Sequence, residues 1–408
     1  MANEALTILN KFAHAIPDGH VGLDRTYFIL EKINHFSIEQ KGIMIKFINQ
    51  ILTAMLDRTA SDIEIGGPGA GNYIWFRTQG IKERAKDLPN LKVDEATALI
   101  AVLLNDKQIK TLIKDKNLDF SYTFRYVKDN VHVRFRADAY FDLDCLTLNM
   151  RAIQSSIRPL KTLGFHPNAI QAMSYKYVKF GLSLITGITG SGKSTTLDAI
   201  IDYHNESDPC HIVLIAAPIE YVHTSGNAII KHREVGRDVS SFKDGVSQAL
   251  RQDPDVVIIG EMRDPATILA GLEVADTGHK VFSTLHTSSA IESIDRIIAE
   301  VNPIEQERVR MRLADILVSV VSQKLIPGQN GQLVLAKEVL VVTPSVKAAI
   351  KNNNTSEIYM MMNQGSNLGM VTMEQDLMRL YQQRLISKEN MIAFANNKSR
   401  IRQLFKAV

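Results

Sequence analysis

The sequence predicts an α/β protein whose larger part is a mostly parallel β-sheet with helices on both faces. After Pro167, short apolar runs alternate with helical stretches, the pattern of buried parallel strands and their crossover helices. One of these runs, at 181–185, leads through a glycine-rich turn directly into a helical stretch. A strand-rich region from 61 to 142 precedes this part and predicts a separate, smaller α+β domain.

Length and composition limit the class of protein. The 408 residues are too many for one ordinary core, so two or more domains are expected. The formal net charge of +3 gives no reason to expect nucleic acid as a partner. No apolar run approaches the ~18 residues of a membrane span, and the first residues show no secretory signal. Cys145 and Cys210 are too few for a four-cysteine zinc site.

The hydrophobic pattern divides the first part of the chain into an extension, residues 1–45, and an α+β domain, residues 46–150. The sequence assigns the extension no role. Apolar residues at helical spacing predict a helix over Met44–Leu56. Alternation predicts strands, with one helix near Asp94–Leu104, at Asp62–Ile65, Asn72–Arg77, Asp119–Val127 and Val131–Ala137. Residues 151–167 contain two prolines and a glycine and predict an interdomain linker.

The second domain is predicted to span 168–408, with a helical part from about 343. Its predicted strands are Gly181–Ile185, His211–Ala216, Val256–Ile259 and Lys280–Thr284. Its predicted helices are Asn168–Val178, Thr195–Tyr203, Phe242–Arg251, Asp264–Thr277 and a long one over Pro303–Leu325. Leu333–Val342 predicts a hairpin-like strand pair. In such sheets ligands bind at the carboxyl ends of the strands.

The glycine-rich turn fits G-x-x-x-x-G-K-[ST], the pattern of a phosphate-binding loop. Glycines let the backbone turn its N–H groups toward phosphate oxygens, and the helix N-terminus adds partial positive charge. Lys193 is expected to reach the β- and γ-phosphates, and the Ser194 hydroxyl to ligate Mg²⁺. The predicted ATP-binding residues are Gly187, Thr189, Gly190, Ser191, Gly192, Lys193, Ser194 and Thr195. The alternative, a Gly- and Ser-rich turn with an incidental lysine, leaves the flanking strand and helix unexplained.

A second stretch, Asp253–Asp264, is an apolar strand that delivers the carboxylate of Glu261. This is the Walker B arrangement, in which a buried strand fixes an acid where it holds Mg²⁺ through water or orients an attacking water. An acid with a plain loop role is the alternative, and the neighbouring phosphate loop argues against it.

These motifs resemble the secretion and type IV pilus ATPases, and most of all the pilus retraction (PilT-type) ATPases. Gly260–Asp264 is similar to the family's Walker B box, Pro218–His223 to its acidic Asp box, and Thr277–Thr287 to its His box. Arg233–Pro254 and Val321–Pro327 resemble two further family segments. The motifs occur in the family's order over roughly residues 46–385.

The resemblance implies a RecA-like motor domain after a PAS-like N-terminal domain, assembled into a homohexamer that hydrolyses ATP with Mg²⁺. It implies a cytoplasmic location, peripheral to the inner membrane, with a platform protein of a pilus or secretion machine as partner and a paralogous ATPase as a further candidate. Glu220 takes the position of the catalytic glutamate, and Glu261 acts through Mg²⁺. His279 and His286 take the positions of the two His-box histidines, the second of which senses the γ-phosphate.

The resemblance also implies that arginines of one subunit's N-terminal domain reach the nucleotide of the next subunit. Arg134, Arg136 and Arg151 lie where the family carries such arginines. Each is equally well explained as a solvated arginine of a strand.

Two features depart from the family pattern. The Asp box usually reads Glu-Asp-Pro-Ile-Glu, whereas this chain has Ala216 and Ala217 in place of the first two acids. The loss of two carboxylates predicts either a slower ATPase or one that works beside a fully equipped partner. Residues 1–45 are the second departure, since typical retraction motors start near the helix at Met44.

Three functions stay open at this point. The first is a motor that drives pilus retraction, and the second is a pilus-assembly or secretion ATPase. Assembly and type II secretion ATPases commonly carry a four-cysteine zinc module, which two cysteines cannot form. The third is a nucleotide-binding partner subunit that hydrolyses little, which the Ala216–Ala217 change favours.

Overall fold

A computed structural model describes residues 2–126, 128, 131–153 and 157–406. The chain forms two compact units, Met1–Ser155 and Ser156–Val408. Val127, the predicted end of a strand, and residues 154–156 of the predicted linker lie outside the described residues. Within the described part, no helix is long and apolar enough to cross a membrane.

The first unit is built on a six-stranded antiparallel sheet. Its strands are β1 (Asp62–Gly66), β2 (Trp75–Thr78), β3 (Ile81–Arg84), β4 (Asn117–Tyr126), β5 (Val131–Asp142) and β6 (Cys145–Ala152). They are ordered β3-β2-β1-β6-β5-β4. The helices are α1 (Ala2–His14), α2 (Gly22–Ile33), α3 (Ile38–Asp57), α4 (Val93–Ala101) and α5 (Asp106–Asp115).

Residues 2–36 contribute apolar side chains to the core of this unit. Leu9 of α1 and Leu30 of α2 are fully buried in the same apolar cluster as Met44 and Phe135. The Thr26 hydroxyl donates to the carbonyl oxygen of Asp144 at 2.7 Å. Helices α1 and α2 are therefore packed elements rather than an exposed tail.

Helix α3 begins earlier than its apolar spacing predicts. Ser37 caps the helix, because its side chain accepts from the N–H of Gln40 and the Gln40 side chain accepts from the N–H of Ser37. This capping box sets the start at Ile38. The boundary predicted between residues 45 and 46 thus lies inside one helix.

In the first unit, sequence patterns did not predict α1, β3, α5 or β6. Strand β3 is exposed along its whole length, so it has no apolar alternation to reveal it. Strand β6 runs to Ala152 and takes in Arg151, which was predicted to begin the linker. Strand β2 starts at Trp75, three residues later than predicted.

The second unit contains a seven-stranded sheet, which confirms the predicted α/β class. Its strands are β7 (Gly181–Thr186), β8 (His211–Ala216), β9 (Ile229–Glu234), β10 (Val256–Ile259), β11 (Lys280–Leu285), β12 (Leu317–Pro327) and β13 (Leu333–Val341). The order is β13-β12-β7-β11-β10-β8-β9. All neighbouring pairs are parallel except β12 and β13.

Helices cover both faces of this sheet. They are α6 (Pro167–Met173), α7 (Lys193–Ser207), α8 (Phe242–Ala249), α9 (Pro265–Asp276), α10 (Ala290–Ala299) and α11 (Gln306–Ile316), followed by α12 (Pro344–Lys351), α13 (Ser356–Gln364), α14 (Met373–Gln382), α15 (Lys388–Phe394) and α16 (Lys398–Lys406). Successive residues of β10 belong to different apolar clusters: Val257 and Ile259 to one, Val256 and Ile258 to another. Each strand of this kind is thus buried on both sides, which explains its continuous apolar sequence.

The long helix predicted over Pro303–Leu325 is wrong. Helix α11 ends at Ile316, and the chain continues as β12, which pairs with β7 on one side and β13 on the other. Residues 318–322 are small or β-branched, and these residue types are favoured by a sheet that offers partners on both sides. The hairpin-like pair predicted at Leu333–Val342 is a single strand, β13, whose partner is β12.

Lys280, the first residue of β11, has a fully buried side chain. Its ammonium donates to the carbonyl oxygen of Ala172 at 2.8 Å, and it lies 5.5 Å from the ring centroid of Phe282. Burial lowers its pKa from 10.5 to about 7. The cost of desolvating a charge is therefore only partly offset at this position.

We expect Lys280→Met to stabilise the protein by about 2 kcal/mol at pH 7, because the variant removes the desolvation cost. The folded-state pKa lies below the ordinary value of 10.5. Wild-type stability therefore rises between about pH 7 and pH 10, and the advantage of the variant shrinks over that range. Urea unfolding at pH 7 and pH 9 measures this, with Lys243→Met at an exposed lysine as control. An advantage that is independent of pH would contradict the assignment.

Candidate nucleotide-binding site

The predicted phosphate loop joins the carboxyl end of β7 to the start of α7. Strand β7 lies between β11 and β12 and is buried along its whole length. Gly187, Gly190 and Gly192 have φ angles of +148°, +79° and +88°, which side-chain-bearing residues rarely adopt. A Cβ on Gly187 would lie 2.6 Å from the carbonyl oxygen of Gln323 and would collide with Ser191. The loop is therefore pressed against β12 at its first glycine and open to solvent at Gly190.

Lys193 is the first residue of α7, and its ammonium lies over the loop. It donates to the carbonyl oxygens of Gly187 at 2.8 Å and Ile188 at 3.0 Å. Burial lowers the pKa of Lys193, while the carboxylates of Glu261 and Glu220 act in the opposite direction. Arg263 lowers the pKa of Lys193 as well, so two cations and two carboxylates influence one another beside this loop.

The other predicted ATP-binding residues lie on this loop and on the first turn of α7. Thr189 and Thr195 are exposed, and Ser194 is half-buried. Ser191 is buried, and its hydroxyl has no hydrogen-bond partner among the described residues. The loop N–H groups and the helix N-terminus are suited to binding phosphate oxygens.

Glu261 follows β10 at the same edge of the sheet. Its carboxylate accepts from Arg263 Nε at 2.7 Å and lies 3.7 Å from His286 Nε2. The preceding residue, Gly260, is fixed by its N–H, which donates to Ile215 O, and by its carbonyl oxygen, which accepts from the Thr284 hydroxyl at 2.7 Å. Neighbouring strands thus hold the Walker B acid in place.

His286 follows β11 and completes this group. Burial lowers its pKa, and the nearby positive charge of Lys193 lowers it further, against the opposing effect of Glu261. The imidazole is therefore neutral at pH 7, and as a neutral ring it both donates and accepts a hydrogen bond.

Glu220 lies in the loop that follows β8, and its side chain is exposed. Its carboxylate raises the pKa of Lys193, so it lies near that ammonium. Ala216 ends β8, and Ala217 is exposed beside it. The structure thus brings Lys193, Glu261, His286 and Glu220 together at the carboxyl edge of one sheet.

His279 is not brought to this group within the chain. It precedes β11, and its carbonyl oxygen accepts from the N–H of Gly181 at the start of β7. The six residues of β11 separate it from His286 by about 20 Å at ~3.3 Å per residue. Its ring contacts Val274 O at 3.2 Å and the Thr277 hydroxyl at 3.1 Å, as a residue of the turn between α9 and β11.

The three candidate arginines lie on β5 and β6 of the first unit. Arg134 donates to the Ser121 hydroxyl at 2.7 Å, and Arg136 lies 3.5 Å from Asp119. Arg151 donates to Asp62 at 2.7 Å and is directly opposite Arg136 in the β5–β6 register. The side chains of Arg136 and Arg151 are 52% and 68% exposed, which leaves both accessible from solvent.

The residues present fit a magnesium ion that arrives with a nucleotide. Among the described residues, no group of three or more His, Cys, Asp or Glu could hold a metal. Mg²⁺ is commonly bound by one or two protein oxygens together with substrate phosphates. Ser194 and Glu261 supply oxygens of this kind beside the loop.

Sequence motifs did not reveal three residues that shape the site. Gln323 of β12 donates to the Thr196 hydroxyl at 2.7 Å and backs the first glycine of the loop. Thr284 fixes Gly260, and Arg263 pairs with Glu261. All three residues lie inside segments that resemble the family, but the contact of Gln323 with the loop also depends on the pairing of β12 with β7, which no local pattern predicts.

We expect Gly187→Ala to weaken ADP binding at least ~10-fold, because the added methyl group collides with Gln323 and Ser191. Gly190→Ala is the matched control, since it also has a positive φ but meets no atom within 4 Å. Calorimetric titration with ADP measures both. Equal losses for the two variants would show that backbone strain alone, and not packing on β12, limits the loop.

Comparison with known proteins places these features in a family. A family model described as type II/IV secretion system protein matches residues 37–406. The type IV pilus retraction ATPase PilT of Pseudomonas aeruginosa is 37% identical over 358 residues, which cover 88% of this chain and 99% of that protein. A twitching motility protein of Neisseria gonorrhoeae is 38% identical over 359 residues, which cover 88% of this chain and 92% of that protein.

A solved structure agrees with these relatives. The crystal structure of the pilus retraction motor PilT with bound ADP matches this structure with a TM-score of 0.78 and 35% identity, over 87% of this chain and 98% of that one. Helices α1 and α2 precede the residues that the family model matches. The chain belongs to the type II/IV secretion system protein family, and it is similar to the pilus retraction ATPases within it.

Proposed function

We propose that this chain is a Mg²⁺-dependent ATPase that drives retraction of type IV pili. The observation that carries the proposal is the meeting of Lys193, Glu261, His286 and Glu220 at one sheet edge. The similarity to PilT supports the choice of retraction among the activities open to the family. We further propose that the chain acts as a homohexamer at the cytoplasmic face of the inner membrane, on a platform protein of the pilus machine.

In this proposal the phosphate loop binds the nucleotide, and Ser194 and Glu261 hold its Mg²⁺, Glu261 through water. The metal neutralises charge on the phosphates. Glu220 orients or deprotonates the attacking water, and its exposed position leaves room for that water. His286, held neutral by its lowered pKa, donates a hydrogen bond to the γ-phosphate.

Arg134, Arg136 and Arg151 are proposed to complete the site of a neighbouring subunit. Their polar partners hold them in place without removing them from solvent. An arginine supplied in this way stabilises the charge that develops during phosphoryl transfer. The geometry within the chain gives His279 no catalytic role, so we assign it none.

A second candidate is a nucleotide-binding partner subunit with little turnover, which would work beside a paralogous ATPase. The observation that favours it is the pair Ala216–Ala217, which removes two carboxylates from the loop before Glu220. A measurement of turnover separates the two candidates.

We expect the purified chain to hydrolyse ATP in the presence of Mg²⁺, and Glu220→Gln to lower kcat by at least ~100-fold with ADP affinity unchanged. The amide keeps the shape of the side chain but cannot accept the proton from water. Glu206→Gln, at an exposed glutamate of α7, is the control and is expected to match wild type. ADP binding without turnover in the wild type would instead identify the partner subunit.

We expect Ala216→Glu/Ala217→Asp to raise kcat by ~3-fold or more, because it restores negative charge near the proposed Mg²⁺ position. Steady-state turnover at several Mg²⁺ concentrations measures this. Ala217→Asn, at the exposed position, adds a polar side chain without charge and serves as control. Unchanged turnover in the double variant would contradict the idea that the two alanines slow the enzyme.

The direction of work is tested in the organism that encodes the chain. A chromosomal Lys193→Ala substitution is expected to increase the amount of assembled pilin on the cell surface, since disassembly stops while assembly continues. A loss of surface pilin would identify an assembly ATPase. Unchanged pilin, with secretion impaired, would identify a secretion ATPase.

A further inference from the structure

The loop that carries Glu220, residues 217–228, is held by buried contacts on both sides of that residue. On one side stands Glu234, the last residue of β9, which is directly opposite Ala216 in the β8–β9 register. Glu234 is only 6% exposed, and its carboxylate accepts from the N–H of Ile219 at 3.1 Å. Ile219 is the residue immediately before Glu220, so this bond fixes the peptide from which the proposed catalytic side chain departs.

Glu234 is itself fixed. Its N–H donates to the carboxylate of Asp238 at 2.9 Å, and the next N–H, of Val235, donates to Ala216 O. A hydrogen bond from a backbone N–H to a buried carboxylate is stronger than one between neutral groups. The contact therefore resists displacement of the loop away from β9.

On the other side of Glu220 stands His223, whose side chain is 1% exposed. Its Nε2 lies 3.1 Å from the carboxylate of Asp198 on α7. Its Nδ1 is buried and has no hydrogen-bond partner among the described residues. The neutral tautomer with the proton on Nε2 fits this arrangement, because a proton on Nδ1 would be a buried donor without an acceptor.

Further contacts attach the same half of the loop to α7 and β9. The N–H of His223 donates to His232 Nε2 of β9 at 3.0 Å. Asn205 of α7 donates to Thr224 O at 2.9 Å and accepts from the N–H of Gly226 at 2.7 Å. Because α7 begins at Lys193, these bonds tie the Glu220 loop to the helix that starts in the phosphate loop.

We propose that Glu234 and His223 are positioning residues for hydrolysis: together they fix the backbone around Glu220 and thereby hold its carboxylate at the nucleotide. This inference rests on the proposed ATPase function. Glu220 is exposed, and Ala216 and Ala217 carry no polar side chains that could hold the loop. The backbone on both sides of Glu220 is held by the contacts of Ile219 and His223 with β9 and α7.

The test is steady-state ATP turnover by the full-length chain. Glu234→Ala is expected to lower kcat ~10- to 100-fold, the usual cost of a displaced catalytic group, with KM and ADP affinity unchanged. Glu234→Gln keeps an acceptor oxygen for the Ile219 N–H and is expected to recover most of the loss. Lys231→Ala, at an exposed lysine of the same strand, is the control and is expected to match wild type.

His223 is tested independently. His223→Ala is expected to lower kcat in the same way, and His223→Gln, whose amide can still donate to Asp198, is expected to restore it. This second pair keeps the inference testable if Glu234→Ala loses its fold, which a thermal melt of each variant reveals.

The decisive readout is the combination with Glu220→Gln. If Glu234 acts through Glu220, Glu234→Ala causes no further loss of the residual turnover in the Glu220→Gln background. If Glu234→Ala lowers kcat by the same factor in both backgrounds, the inference is overturned. It is also overturned if the substitution changes only KM or the affinity for ADP. If the wild-type chain hydrolyses ATP and Glu234→Ala is equally active, only this inference is overturned. If the wild-type chain shows no turnover, the proposed function is overturned as well.

Discussion

The site depends on the packing of β7 between β11 and β12. Six residues of β7 pair in parallel with β11, five of them also pair in parallel with β12, and the strand is buried on both faces of the sheet. The strand ends at Thr186, and at the next residue, Gly187, the carbonyl oxygen of Gln323 leaves no space for a side chain. The phosphate loop thus starts from a rigid point, and a loop that must hold its N–H groups toward a ligand gains from such preorganisation. The polar residues around the loop, Glu261, His286 and Glu220, follow β10, β11 and β8, whose ends are likewise fixed by pairing within the same sheet.

Charge balance is the second constraint on this edge of the sheet. Burial disfavours the charged form of Lys193, and Glu261 and Glu220 favour it. Arg263 pairs with Glu261, so both the arginine and the lysine have a carboxylate nearby. A polyanionic nucleotide entering with Mg²⁺ would add charge of both signs to this set. Because the phosphates of a bound nucleotide would be negatively charged, Lys193 would keep a partner of opposite charge when Glu261 and Glu220 bind the metal or water.

Sequence alone predicted the places of the local motifs better than the topology of the sheet. The phosphate loop and the Walker B acid are local patterns, and the bounds of β8 and β10 were predicted to the residue because buried parallel strands have continuous apolar sequences. Strand β12 was predicted as helix, since its apolar and small residues follow α11 without a break signal, and only the partners β7 and β13 decide its conformation. The His-box motif could not predict the position of His279 either. The His box assigns both His279 and His286 to the site, but the extended strand between them carries the two residues to opposite ends of β11.

Residues 2–36 have a structural role that their sequence pattern does not indicate, because they complete the core of the first unit. They precede the residues that the family model matches, and their sequence carries no motif. Yet Ala5, Leu9, Leu30 and Ile33 are each at most 1% exposed, in one apolar cluster with the strands of the first unit. Arg25 of α2 forms a bidentate pair with Asp94 of α4, the helix that α2 covers. Removing α1 and α2 would expose this apolar surface and break that pair, so the first unit of this chain depends on two helices that lie before the residues matched by the family model.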